Sequence, residues 1–200
     1  MRLGDTRTLT YLLLMVQHCL RVPKDPAPWT FVGIAMRLCI ELGLHRKKRQ
    51  PYPTLKSELE KRLFWACYYS DRELSIALGR PPSISDHDID VELPLDIDED
   101  TEDAAVFRNA SPTSTPVNPP TTMTCFIHIL RLKRIESDIQ HNLYRVDNST
   151  DLSLRSIQTE KFLEKLTAWR DQIPPQDNRI DAYVSLYCPT IWSPTDSLVM

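Results

Sequence analysis

The chain has 200 residues, 42% of them hydrophobic, which is enough to bury one sizeable core and excludes disorder throughout. A formal net charge of -3 excludes a global basic field of the kind that grips nucleic acid by charge alone. The five cysteines, Cys19, Cys39, Cys67, Cys125 and Cys188, are widely spaced and odd in number, so they suggest neither a disulfide framework nor a CxxC metal site and read as reduced, intracellular and mostly buried.

The first predicted element is a helix over 6–21, where Leu9, Leu13, Val16 and Leu20 recur at helical spacing until Pro23 stops the pattern. Its apolar run, 11–16, is too short for a secretory leader or a membrane span. Asp25-Pro26 offers an N-cap followed by proline at the first helical position. A second helix from there carries the stripe Trp29, Val32, Met36, Cys39 and Ile40 and closes at Gly43. The short connection predicts that the two pack as an antiparallel pair.

The third helix is predicted from a capping box, Ser57-x-x-Glu60, with Leu59, Leu63, Cys67, Leu74 and Leu78 on one face and Gly79, Pro81 and Pro82 ending it. Phe64, Trp65, Tyr68 and Tyr69 are too widely spread for one stripe. They imply burial against several neighbours and a central place in the bundle.

From 86 to 103 the sequence has ten acids and no Lys or Arg, a density that predicts an extended, solvated loop rather than a helix. The stretch 109–122, NASPTSTPVNPPTT, is rich in Pro, Ser and Thr and predicts a flexible connector, 108–122 when Arg108 is included. Beyond it, Cys125, Ile129, Leu132, Ile135, Ile139 and Leu143 mark another helical face. Asp151 can cap a last helix carrying Leu154, Ile157, Leu166 and Trp169, which Ile173-Pro174-Pro175 ends. The fold class is therefore all-α: a multi-helix bundle of antiparallel helix pairs with an acidic, Pro/Ser/Thr-rich loop inserted.

Candidate sites are few. Asp86-x-Asp88-x-Asp90 opens like a calcium loop, but Val91 stands where glycine is needed and Ile97 where a bidentate glutamate is needed. Asp96-x-Asp98-x-Asp100 fails likewise at Thr101 and Phe107. Ser85, His87 and Asp88 are catalytic residue types without a fixed relay, and Gly4, Gly33, Gly43 and Gly79 form no phosphate loop. The run 45–51, HRKKRQP, reads as solvated polarity about three times in four and as a phosphate contact or nuclear import signal otherwise. Ser111-Pro112 and Thr115-Pro116 match proline-directed phosphosites of the sort that chance supplies in such a composition. No catalytic, cofactor-binding or metal-binding residue is assigned.

The segments WTFVGIAMRLCIELGLHR (29–46) and ELEKRLFWACYYSDRELSIALGRPPSISDHDIDVELP (58–94) resemble the fungal-specific transcription factor domain, the regulatory middle region of fungal zinc-cluster transcription factors. The resemblance rests on the Gly-Leu-His-Arg turn, Arg62-Leu63-Phe64-Trp65, Asp71-Arg72, Gly79-Arg80-Pro81 and Ile84-Ser85-Asp86. It extends more loosely through LRLKRIESDIQHNLY and FLEKLTAWRDQIP, covering most of 8–174. It implies a helical, non-enzymatic regulatory domain acting in the nucleus and controlling a linked DNA-binding module. DNA would be reached only indirectly, through a six-cysteine binuclear zinc cluster that this sequence lacks, so no cofactor is expected in this chain. The resemblance also allows a homodimer, co-regulator proteins and a small-molecule effector as partners, and no membrane.

On this basis 1–187 read as a partial regulatory domain with the connector inside it. Tyr183, Leu186 and Tyr187 would begin a further helix, and 188–200 form an irregular tail broken at Pro189 and Pro194. The alternative is a cytoplasmic helical adaptor, or a non-functional truncated paralogue without DNA binding. An enzyme using Asp71 as a base ranks last, because no nucleophile and base are paired.

Overall fold

The computed structural model describes residues 5–22, 28–49, 52–110, 115–144 and 152–173, with the side chains of 152–155 excepted. The elements are α1 (Thr6–Arg21), α2 (Pro28–Glu41), α3 (Leu55–Leu78), a single 3-10 turn (Asp86–Asp88), α4 (Ala104–Asn109), α5 (Thr124–Leu143) and α6 (Leu152–Arg170). No strand occurs among the described residues, so the all-α expectation holds.

α1 has the predicted limits. Asp5 caps it, its carboxylate accepting the Arg7 N–H at 3.3 Å, and Leu9, Val16 and Cys19 are its buried face. α2 packs on α1 and α3, and the proposed cap at Asp25-Pro26 lies outside the described residues. α3 is the central element, in contact with α1, α2 and α5. Phe64, Trp65 and Tyr68 lie at its middle at 1% exposure or less, with ring centroids 5.0–5.3 Å apart in edge-on pairs along Phe64–Trp65–Tyr68. Around them close Leu9, Val16, Val32, Met36, Cys39 and Leu130, so one core runs through all four helices.

The start of α3 corrects the predicted capping box. Thr54 is the N-cap and Ser57 occupies the third helical position. Each side chain bonds the other's backbone N–H, Ser57 N to Thr54 Oγ1 at 3.2 Å and Thr54 N to Ser57 Oγ at 2.9 Å. A serine hydroxyl replaces the usual longer side chain there, which leaves Glu58 free to turn inward.

α2 and α3 both end on a glycine at positive φ, 68° at Gly43 and 61° at Gly79. In each case the glycine and the next residue bond back to the last turn: Gly43 to Ile40 and Leu44 to Cys39, then Gly79 to Ile76 and Arg80 to Ser75. A Cβ at Gly79 would meet nothing within 4 Å, so only backbone strain opposes a side chain there. Gly79→Ala is expected to lower unfolding free energy by about 1 kcal/mol, checked by urea denaturation with an unchanged slope.

The acidic stretch differs most from expectation. It is extended with most of its acids exposed, as expected, but its apolar residues are not solvated: it is a strap whose Ile84 and Leu95 are buried and whose Ile89, Val91 and Leu93 pack on the core. Alternating apolar residues face inward, and the acids between them are used as acceptors. Asp90 takes the Lys47 N–H at 2.6 Å, Asp98 takes the Thr122 N–H at 3.0 Å, and Asp96 takes the hydroxyls of Thr121 at 2.6 Å and Thr124 at 2.7 Å. Asp103 caps α4, through the Ala105 N–H at 2.8 Å.

Those bonds also bear on the predicted connector 108–122. Residues 111–114 lie outside the described set, whereas 115–122 are held against the strap through Val117, Thr121 and Thr122. A segment expected to swing freely is thus anchored where it is described, because its hydroxyls and amides meet carboxylates some twenty residues earlier.

α5 and α6 pack antiparallel, since Lys165 meets Asp138 at 3.0 Å while Trp169, further along α6, meets His128, further back on α5. The deepest residues of α5 include polar ones, His128, Lys133 and Ser137, while the predicted face from Cys125 to Leu143 is only half-buried. On α6 the packed side is Phe162, Leu166 and Trp169, and Ile157 is exposed. The predicted cap Asp151 and the start of a further helix at Tyr183 lie outside the described residues.

Candidate functional site

Two features stand out on the scaffold: a buried polar cluster where α3 ends, and an apolar groove along its opposite side. Both are built around α3.

The cluster centres on Arg72, which is fully buried. Its Nη1 donates to Asp71 Oδ2 at 2.7 Å, its Nη2 to the Ile84 carbonyl at 2.7 Å and to Asp86 Oδ2 at 3.2 Å, and its Nε to Ser137 Oγ at 3.1 Å. The guanidinium also lies over the Tyr68 ring, 4.3 Å from its centroid. Asp71 in turn accepts the Ser83 N–H at 3.0 Å and its hydroxyl at 2.6 Å. Asp86 accepts the Tyr68 hydroxyl at 2.6 Å and the Ser137 hydroxyl. Pro81 and Pro82 break the helix, and this cluster then folds residues 83–86 back onto it and ties both to α5.

Burial pushes the Asp86 carboxyl up, but the Arg72 charge and the hydrogen bonds from Ser137, Tyr68 and Arg72 together hold it below the usual carboxylate value. Burial pushes the Tyr68 hydroxyl up. The cluster is suited to fastening rather than proton transfer. Both oxygens of Asp71 are engaged and the residue is 1% exposed, so it offers no base to a substrate. Ser85 accepts the His87 N–H and caps the 3-10 turn, and His87 stands edge-on to His141 at 5.5 Å.

The other sequence candidates are also absorbed by local bonds. In the basic run, Arg46 pairs with Asp90 at 3.1 Å, Lys47 with Glu92 and Lys48 with Glu60, and the His45 carbonyl accepts the Asp90 and Val91 N–H groups. The strap and α3 therefore pair three of the cations that a phosphate contact would need. Among the described residues no group of three or more His, Cys, Asp or Glu could hold a metal ion. Cys19, Cys39 and Cys67 are buried, one on each of α1, α2 and α3, and Cys125 is half-buried, so these residues do not fit a binuclear zinc cluster. Cys188 lies outside the described residues.

Sequence reasoning missed two buried polar sites. Glu58, fully buried, accepts the Leu95 N–H at 2.6 Å and faces Lys61 at 3.3 Å, pinning the strap to the first turn of α3. Lys133 sits between Glu73 on α3 and Glu136, the latter at 2.8 Å.

His128 is different again. Its ring stacks on Trp169 at 4.5 Å and 15°, and neither ring nitrogen has a partner. Burial, with the nearby Arg131 charge, lowers its pKa to about 4. The imidazole is therefore neutral in the fold, while the unfolded chain binds a proton below about pH 6.5. Stability should fall between pH 6.5 and 4, by about 1–2 kcal/mol once partial solvent screening is allowed for. Urea midpoints across that range check this, and His128→Phe should flatten the dependence.

The groove, about 730 Å³, lies between α1, α3 and α5. Its walls include Leu13 and Leu14, Leu59 and Leu63, and Phe126 and Ile129, with Arg62 at one edge. Arg62 Nη1 donates to the Glu99 carbonyl at 3.2 Å, but its buried Nε has no partner. Burial lowers the Arg62 pKa.

Compared with known families, residues 4–171 match the fungal specific transcription factor domain. The chain belongs to that family. Among similar proteins, an uncharacterized transcriptional regulatory protein of Schizosaccharomyces pombe is 29% identical over 94% of this chain and 27% of its own length. The transcriptional activator protein acu-15 of Neurospora crassa is 29% identical over 84% of this chain and 17% of its own. Protein STB5 of Saccharomyces cerevisiae is 41% identical over 48% of this chain and 14% of its own. The chain thus spans about a quarter or less of these relatives. No solved structure matches it. As a member of the fungal specific transcription factor domain family it is a transcription-regulatory domain, and no helix among its described residues is long and apolar enough to cross a membrane.

Proposed function

We propose that this domain modulates transcription by RNA polymerase II in the nucleus through a DNA-binding module linked to it or brought by a partner. It would act as a non-catalytic switch: the module would read DNA, and these helices would set its output by contacts with proteins or an effector. The family match over 4–171 carries the reading. Support comes from the way the chemistry-bearing residues are spent, since Asp71, Asp86 and Glu58, with Asp90, Asp96, Asp98 and Asp103 of the acidic stretch, serve as acceptors for the fold itself. The proposal accordingly includes no cofactor and no catalytic residue in these positions.

The test fuses the chain to a bacterial repressor's DNA-binding domain and places that repressor's operator before a yeast reporter. Reporter output should change several-fold, up or down, relative to the DNA-binding domain alone, and a fluorescent fusion should accumulate in the nucleus. Output equal to the DNA-binding domain alone, from a fusion shown to be folded and nuclear, would overturn the reading.

A further inference from the structure

Among the described residues, the groove between α1, α3 and α5 is a large feature that the bonds above do not fill. Its volume, about 730 Å³, falls in the range of small-molecule sites. Leu14 and Leu59 stand in its walls at 61% and 47% exposure, an apolar surface that folded chains usually cover. The lining on α1 runs from Thr6 to Gln17, about 16 Å of helix, so the groove is long as well as apolar.

Arg62 interrupts that surface with a polar demand. It gives Nη1 to the Glu99 carbonyl at 3.2 Å, and its Nε, on the other edge of the planar fork, is buried without an acceptor. Desolvation of the guanidinium outweighs the charges of Glu58 and Glu99, so the place is short of negative charge. Neighbouring acids are engaged elsewhere: Glu58 is turned to the Leu95 N–H and Lys61, and Glu60 holds Lys48. Arg7 and Lys56 add two more cations to the lining. The edge of a guanidinium that carries Nε is also one that takes two carboxylate oxygens in parallel.

An occupant must therefore be slender, apolar along its length and anionic at one point. A partner helix fits poorly, since ten residues of helix, about 10 Å across and 15 Å long, occupy on the order of 1,000 Å³, more than the groove holds. We propose that the groove binds a long-chain aliphatic carboxylate, its chain along Leu14, Leu59 and Phe126 and its carboxylate on the Nε edge of Arg62. The inference deepens the regulatory reading by naming a class of effector, and rests on that reading for its consequence in transcription.

The test titrates the purified 200-residue chain with octanoate, decanoate and laurate below their micellar concentrations, followed by calorimetry. One ligand per chain is expected, each step of two methylenes tightening binding about ten-fold. Dodecanol and dodecylamine should bind about ten-fold more weakly than laurate, and Arg62→Met should erase that preference. Leu59→Glu, at an exposed wall position, should weaken all three acids by about ten-fold while leaving the urea midpoint unchanged. Equal affinity for laurate and dodecanol, no gain with chain length, several ligands per chain, laurate binding unchanged in Leu59→Glu, or no binding at all would each overturn the proposal. So would a dimer that laurate leaves intact and Leu59→Glu dissociates, which would assign the groove to a second copy. Binding is read without a reporter, so the two failures are separable. Laurate bound by a chain whose fusion is transcriptionally silent counts against the regulatory reading alone, and a regulating fusion that binds no laurate counts against this proposal alone.

Discussion

Replacing Arg72 by methionine is expected to lower the stability of this domain by about 3–5 kcal/mol, enough to leave much of it unfolded at ordinary temperature. The side chain is fully buried and gives four hydrogen bonds, two to carboxylates, one to a backbone carbonyl and one to Ser137. Methionine fills most of the volume, so the loss reports the uncompensated carboxylates of Asp71 and Asp86 rather than a cavity. Arg72→Lys should recover only part of it, because a single ammonium cannot reach four acceptors arranged around a planar fork. Asp86→Asn should cost less, about 1–3 kcal/mol, since Arg72 keeps Asp71, Ile84 and Ser137. The two changes should be strongly non-additive, and a double-mutant cycle from urea unfolding measures the coupling.

The pH dependence supplies an independent check. Asp86 is held below its unfolded value, so its share of stability is present above about pH 4 and lost as pH falls through the folded value. The deficit of Arg72→Met should therefore be largest near neutrality and shrink in acid. A deficit that stays constant from pH 7 to pH 3 would mean that packing, not charge, sets the role of Arg72.

How much of this could be read in advance depends on how local each signal is. α1 has its predicted limits because cap, periodicity and stop all lie within one short window, and Gly79 ends α3 because a left-handed residue before two prolines has few alternatives. The strap was misread for the opposite reason. Counting ten acids predicts repulsion, yet Asp96 is satisfied by Thr121 and Thr124 and Asp90 by Lys47, partners that neighbouring sequence does not reveal. The period-2 run Ile89, Val91, Leu93 and Leu95 was the available signal, and charge density obscured it.

The face of α5 failed similarly. Apolar spacing selected Cys125, Ile129 and Leu132, while the deepest positions include Lys133 and Ser137, which are buried because Glu73, Arg72 and Asp86 await them across the bundle. On α6 the expected Leu166 and Trp169 do lie on the packed side, with Phe162 completing an i, i+4, i+7 set, whereas the expected Ile157 is exposed. The groove was invisible in sequence, since it is made by three helices that each show an ordinary apolar stripe.

Trp65→Ala is expected to be as severe as the loss of Arg72, about 3–5 kcal/mol, but to act on a different part of the molecule. The indole is 1% exposed, edge-on to Phe64 and Tyr68, and its Nε1 donates to the Glu92 carbonyl at 2.8 Å. Truncation both opens a cavity at the centre of α3 and releases the middle of the strap. Trp65→Phe separates these effects: it keeps most of the packing and removes the hydrogen bond, for a loss of about 1–2 kcal/mol. Hydrogen exchange should show the difference. The Asp90 and Val91 amides, which bond to the His45 carbonyl, should exchange faster in both variants, whereas core amides of α3 should be strongly affected only in Trp65→Ala. If Trp65→Phe leaves those two strap amides as protected as in the parent, then Glu58 at Leu95 and Arg46 at Asp90 suffice to hold the strap, and the tryptophan serves the core alone.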